Sequence, residues 1–70
     1  MLARGFIVRI YFENVIIERL INAGTSTKAL YEGKKWASYN YDEYWGQMTK
    51  AVVIRESTNK VVRTEEGNTL

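Results

Sequence analysis

The chain predicts an α+β domain, an antiparallel sheet with one helix packed on one face, in the order β-β-α-β-β. Three observations carry this. Residues 5–12 alternate side chains with period two. The block Gly24-Thr25-Ser26-Thr27 supplies capping residues ahead of a stretch with helical apolar spacing. Residues 51–65 then return to β-branched character on both sides of a short polar loop.

The first strand puts Phe6, Val8, Ile10 and Phe12 on one side and Ile7, Arg9 and Tyr11 on the other, the signature of period two. Residues 15–23 read first as a second strand, because Val15, Ile16, Ile17 and Ile21 are β-branched. The competing reading is a helix capped by Asn14, with Ile17, Leu20 and Ile21 as its stripe and Gly24 at its end. A hairpin turning at Glu13-Asn14 sets Phe12 opposite Val15, Ile10 opposite Ile17, Val8 opposite Arg19 and Phe6 opposite Ile21. Its other face then carries Tyr11 with Ile16, Arg9 with Glu18 and Ile7 with Leu20. Opposed Arg9 and Glu18 attract, which supports this register. A two-layer domain covers one sheet face only. Ile7, Tyr11, Ile16 and Leu20 are therefore expected to form exposed contiguous apolar surface, the usual mark of a binding site.

After Thr27 a helix places Ala29, Gly33, Trp36 and Ala37 on one stripe, with Leu30 at its edge. Lys28, Tyr31, Glu32, Lys34, Lys35 and Ser38 point elsewhere. Gly33 costs about 1 kcal/mol relative to alanine inside a helix, and small residues on the stripe would let the helix sit close to the sheet, with Trp36 filling one end. Residues 39–46 either extend that helix by a turn or form a structured loop. Residues 51–56 make a third strand and residues 60–65 a fourth. The loop Ser57-Thr58-Asn59 joins them, Asn59 taking the left-handed conformation such loops need. This sets Glu56 against Lys60, Ile54 against Val62 and Val53 against Arg63. Residues 66–70 are polar and expected to fray, giving one domain over 1–65 and a tail over 66–70.

Seventy residues bury only about 60% of the unfolded surface, so a chain of this size is marginal unless stapled or oligomeric. There is no cysteine and no histidine. Disulfides and thiolate metal sites are excluded, as are the commonest metal ligand and the commonest general base. A homodimer is the remaining route to extra burial. The formal charge of +2 is spread along the chain and by itself points to no polyanion. No apolar run approaches the roughly 18 residues a membrane span needs. Met1-Leu2-Ala3-Arg4 lacks the apolar core of a signal peptide, so a cytoplasmic protein without a membrane partner is expected.

The eight carboxylates form no motif. Asp42 and Glu43 are adjacent and would diverge by about 100° on a helix, while Ser26 and Thr27 have no histidine to activate them. No catalytic residue, metal site or cofactor is expected. Gly24-Thr25-Ser26 could hold an anion at the helix start, but most helices begin this way. The aromatic run is the better candidate. Tyr39, Tyr41, Tyr44 and Trp45 lie within seven positions, and Tyr and Trp favour interface hot spots and base-stacking platforms. The plainer reading has Trp45 and one or two tyrosines closing the core, though one small core cannot hold them all beside Trp36, Phe6 and Phe12. Arg9, Arg55 and Arg63 fall on sheet faces that carry Tyr11, Ile16, Val53 and Val61. Should those faces coincide, the open side would be a mixed apolar and basic platform, suited to a protein or to single-stranded nucleic acid. The plainer reading is a solvated face whose Arg9–Glu18 pair contributes about 0–1 kcal/mol.

Ile17-Glu18-Arg19-Leu20-Ile21-Asn22-Ala23 leads through Gly24-Thr25-Ser26-Thr27 into Lys28-Ala29. This order, a strand ending in Asn-Ala, then Ser/Thr, then a short Ala-containing helix and a closing hairpin, resembles small phage-encoded β-β-α-β-β proteins, some anti-CRISPR proteins among them. The likeness covers most of residues 5–65 and rests on element order and helix entry. It implies a stoichiometric inhibitor that docks on a host complex without catalysis. The expected function is thus a small docking protein with a protein partner. A single-stranded nucleic-acid binder and a nucleotide sponge in an oligomer cleft are the alternatives.

Overall fold

A computed structural model describes residues 5–67. It contains β1 (Gly5–Tyr11), β2 (Ile16–Asn22), α1 (Ser26–Asn40), a 3-10 helix (Asp42–Gln47), β3 (Lys50–Arg55) and β4 (Lys60–Glu66). The four strands form one antiparallel sheet in the order β2-β1-β3-β4, with α1 on one face. This is the expected α+β arrangement.

Residues 16–22 are a strand, so the helical alternative falls. The first hairpin has the expected register from Gly5 opposite Asn22 to Tyr11 opposite Ile16. At its turn, the Phe12 N–H donates to the Val15 carbonyl at 2.8 Å. Phe6, Val8, Ile10, Phe12 and Ile17 point to the helix side and join Ala51 and Val53 of β3 in the core.

Thr25 caps α1. Its extended backbone (φ −141°, ψ 159°) lets the side-chain oxygen accept from the Lys28 N–H at 3.1 Å, occupying one donor that the helix itself cannot satisfy. Ala29, Leu30, Gly33 and Ala37 are the buried positions, and the stripe of small residues lays the helix close against Val8. The helix stops after Asn40, whose side-chain amide donates to the Trp36 carbonyl at 2.8 Å, a local bond that competes with helix continuation. Residues 39–46 therefore do neither of the two expected things alone. The helix runs one residue past Tyr39, then a 3-10 turn takes over and delivers Met48 into the core.

The β3–β4 connection departs from the expected register. The loop has four residues, 56–59, and Arg55 rather than Glu56 stands opposite Lys60. Asn59 is left-handed as expected (φ 57°), and its N–H donates back to the Arg55 carbonyl at 2.7 Å, closing the loop one residue earlier on β3. A bulge between Val53 and Ile54 absorbs the offset. Ile54 therefore pairs with Val61, not Val62, while Val53 still pairs with Arg63. The expected boundary at residue 65 also shifts. Glu66 pairs with Lys50, and the Gly67 N–H donates to the Thr49 carbonyl at 2.6 Å; the rest of the expected tail lies outside the described residues.

Candidate functional site

The three registers fix the face that α1 leaves open, because directly paired residues share a side of the sheet. Read across β2, β1, β3 and β4, it has three rows. The first is Leu20–Ile7–Ile54–Val61, the middle is Glu18–Arg9–Val52–Thr64, and the third is Ile16–Tyr11–Lys50–Glu66. The first row is apolar from edge to edge. Its two central side chains support the outer two: Ile54 is 5% exposed, whereas Leu20 and Val61 are 52% and 59% exposed. Ile16 at the far corner is 59% exposed.

The charges on this face are matched locally. The Arg9 Nε donates to Glu18 Oε1 at 2.8 Å, and this bond, more than any other influence, raises the guanidinium further above its already high ordinary pKa. The Lys50 ammonium lies 4.8 Å from the centroid of the Tyr11 ring, a cation–π contact, and stands opposite Glu66. Two cations and two anions share the face, so it is electrically balanced. Both members of the Arg9–Glu18 pair are well solvated, so its energy is small. Charge reversal at either position alone is expected to cost up to about 1 kcal/mol, and swapping both to recover most of it, in a double-mutant cycle read by urea melts. Simple additivity would show that the two charges do not interact.

Ile7, Arg9, Tyr11, Ile16 and Leu20 thus share one face as expected. The Arg9–Glu18 pair separates Leu20 and Ile7 from Tyr11 and Ile16, and Ile7 and Tyr11 are half-buried, so the expected contiguous exposed patch is corrected to two apolar strips. Arg55 and Arg63 do not join them. Arg55 pairs with Phe6 and lies 5.4 Å from its ring centroid, and Arg63 pairs with Val53. Both residues therefore stand on the helix-bearing face. The segment Ala51-Val52-Val53-Ile54 is buried on both sides, so its composition gives no cue to which side is which. The expected apolar and basic platform is corrected to an apolar, charge-balanced one. Val61 stands on the open face as expected, brought there by the bulge, while Val53 pairs with Val8 and is buried under the helix instead. Val52 and Ile54 were missed because their side depends on the β1–β3 pairing.

The aromatic segment is on the opposite side of the molecule. Tyr44 stacks obliquely on Phe12 with centroids 5.9 Å apart, and Tyr41 meets Trp36 edge-on at 5.6 Å. Trp45 is also packed against the core, while Tyr39 is 77% exposed. Arg19 lies 5.1 Å over Trp36. Between α1 and β4 runs an open groove of about 640 Å³, with Leu30 and Trp45 in its lining and Tyr31, Tyr39, Lys34 and Lys35 around them. The Lys34 ammonium and Glu65 carboxylate bridge its walls at 2.8 Å. Tyr31, Lys35 and Tyr39 recur every four residues, a spacing that places them along one side of the helix and could have revealed this groove from sequence.

Among the described residues no group of three His, Cys, Asp or Glu side chains is placed to hold a metal, and no helix is long and apolar enough to cross a membrane. Nor is any polar or charged side chain buried among them. What the open face offers is apolar surface with the solvated Arg9–Glu18 pair across its middle and Lys50 opposite Glu66 at one end. Compared with protein-family models, curated proteins and solved structures, the chain matches none, so fold and surface chemistry carry the functional reading.

Proposed function

We propose that this is a non-catalytic docking protein that binds another protein through the open face of its sheet. The observation that carries this is the apolar row Leu20–Ile7–Ile54–Val61 on a face that no element of the described chain covers, with Tyr11 and Ile16 in the third row beyond the Arg9–Glu18 pair. The exposed side chains of this row, Leu20 and Val61, are where association releases free energy, about 25 cal/mol per Å² of apolar area. Charge balance on the face favours a protein partner over a polyanion, whose phosphates need an excess of cations. A role of this kind fits the stoichiometric inhibition of a host complex that the resemblance in element order implies.

The test pairs wild type with the double variant Tyr11→Glu, Leu20→Lys. The variant is expected to keep its fold by circular dichroism and to lose the protein that wild type retains. An unchanged set of bound proteins would remove the reading.

A second reading is favoured by the helix-side groove alone. Tyr31, Tyr39 and Trp45 with Lys35 could stack a base and meet a phosphate, as a nucleotide or single-stranded nucleic-acid site. Affinity falling steeply with salt would mark a nucleic acid, and stabilisation by a free nucleotide in a thermal-shift series would mark the small ligand.

A further inference from the structure

We infer that the open face is covered by a second copy of this chain, related by a twofold axis that lies between the two sheets and runs parallel to the strands. This rests on the reading of that face as the docking surface and names its occupant.

Charge layout selects the axis. A face-to-face dimer is isologous, so each row meets the image of a row on the same surface. With the axis across the strands, the middle row would fold onto itself column by column. Arg9 would face its own copy and Glu18 would face its own copy, and opposed like charges repel. An axis along the strands instead exchanges β2 with β4 and β1 with β3 while keeping each row at its level. Leu20 then lies over the second copy's Val61 and Ile7 over its Ile54, so the apolar row stacks on itself. In the other two rows Arg9 lies over Val52, Glu18 over Thr64, Ile16 over Glu66 and Tyr11 over Lys50. No like charges are opposed. Each Lys50, already 4.8 Å from its own Tyr11 ring, gains a second ring across the axis. Aligned sheet packing, with strands within about 30°, accommodates this arrangement.

The size is that of a weak, concentration-dependent dimer. Four strands at about 4.8 Å spacing and seven residues at about 3.3 Å each make a face of roughly 19 by 23 Å. Two such faces in contact remove on the order of 900 Å² before side-chain relief is counted, close to the roughly 1,000–1,200 Å² where stable interfaces begin. A 70-residue chain without cysteine is also of the size that gains most from oligomeric burial.

Sedimentation velocity on the full chain tests this, with Val61→Lys, Leu20→Lys and, on the helix side, Tyr31→Lys. All three positions are more than half exposed, and circular dichroism confirms folding of each variant. Wild type is expected to sediment as a dimer. Val61→Lys and Leu20→Lys should each raise the dimer Kd at least about a hundredfold, since each position occurs twice and a hot-spot loss is worth about tenfold or more. Tyr31→Lys should leave it unchanged. Should either variant unfold, Val61→Gln or Leu20→Gln takes its place. A wild type that stays monomeric at roughly 100 µM overturns the second copy as occupant. So does a dimer that Leu20→Lys breaks and Val61→Lys does not, which would be pairing along the exposed β2 edge. The docking reading is judged separately. A monomer whose bound protein is lost on Leu20→Lys retains that reading without the dimer, and a monomer whose binding ignores Leu20→Lys ends both.

Discussion

Replacing Gly33 with alanine is expected to destabilise the fold by about 1–3 kcal/mol, although the same change on an exposed helix would stabilise it by about 1 kcal/mol. A Cβ at this position would lie 2.5 Å from Val8 Cγ1 and 2.8 Å from Val8 Cβ. Those distances are far inside van der Waals contact. Val8 is 1% exposed and sits on the central strand β1, so it cannot swing away, and the helix must lift from the sheet instead. For a domain of this size the melting temperature should fall by about 4–8 °C per kcal/mol. Val8→Ala alone is expected to cost about 1.5–3 kcal/mol through lost burial. The two changes together should cost clearly less than their sum, because each makes room for the other, with a coupling of about 0.5–3 kcal/mol. Thermal melts of the four proteins measure this. A more stable Gly33→Ala protein would mean that α1 does not lie this close to β1.

The double variant Tyr11→Glu, Leu20→Lys is expected to lose binding by at least about a hundredfold in Kd while losing only about 1–2 kcal/mol of stability. Leu20 is 52% exposed and neither residue belongs to the buried cluster around Phe6, Val8 and Ile10. Part of the stability cost is the Lys50–Tyr11 contact, worth about 0.5–1 kcal/mol at an exposed site. The new carboxylate would still face Lys50, and the new ammonium would stand two residues from Glu18 on the same side of β2. Each also gains a diagonal like charge, Glu18 and Arg9 respectively, which forms part of the stability cost. Binding would fail because two charges would have to be stripped of water in the middle of an apolar contact. Collapse of the circular dichroism signal would instead place these side chains in the monomer's own core.

The first hairpin was legible in the sequence because two independent cues agree. Alternation separates Phe6, Val8 and Ile10 from Ile7, Arg9 and Tyr11, and the Arg9–Glu18 attraction chooses the register. The helix stripe was legible for a similar reason, since Ala29, Gly33 and Ala37 share a side at helical spacing and only a close approach to a sheet rewards small residues there. The second hairpin was half legible. Asn59 announces its left-handed turn, but the bulge that shifts Ile54 from Val62 to Val61 depends on how the backbone closes the loop. Arg55 and Arg63 were placed on the wrong face because β3 is apolar on both sides. The aromatic run gave no periodic signal, since a 3-10 turn distributes Tyr41, Tyr44 and Trp45 over the end of the core in an order that neither strand nor helix spacing anticipates.

The most direct measurement is the access of a soluble paramagnetic probe to the isoleucine methyl groups, followed from dilute to concentrated protein and again with any bound partner. Ile16 lies 59% exposed on the open face, and Ile10 lies wholly buried beneath the helix on the other. If the open face is the working surface, relaxation enhancement at Ile16 falls sharply as the complex forms, while Ile10 stays silent throughout. Enhancement at Ile16 that persists undiminished in the complex, with protection appearing instead at the ring protons of Tyr31 and Tyr39, would contradict it and move the function to the helix side.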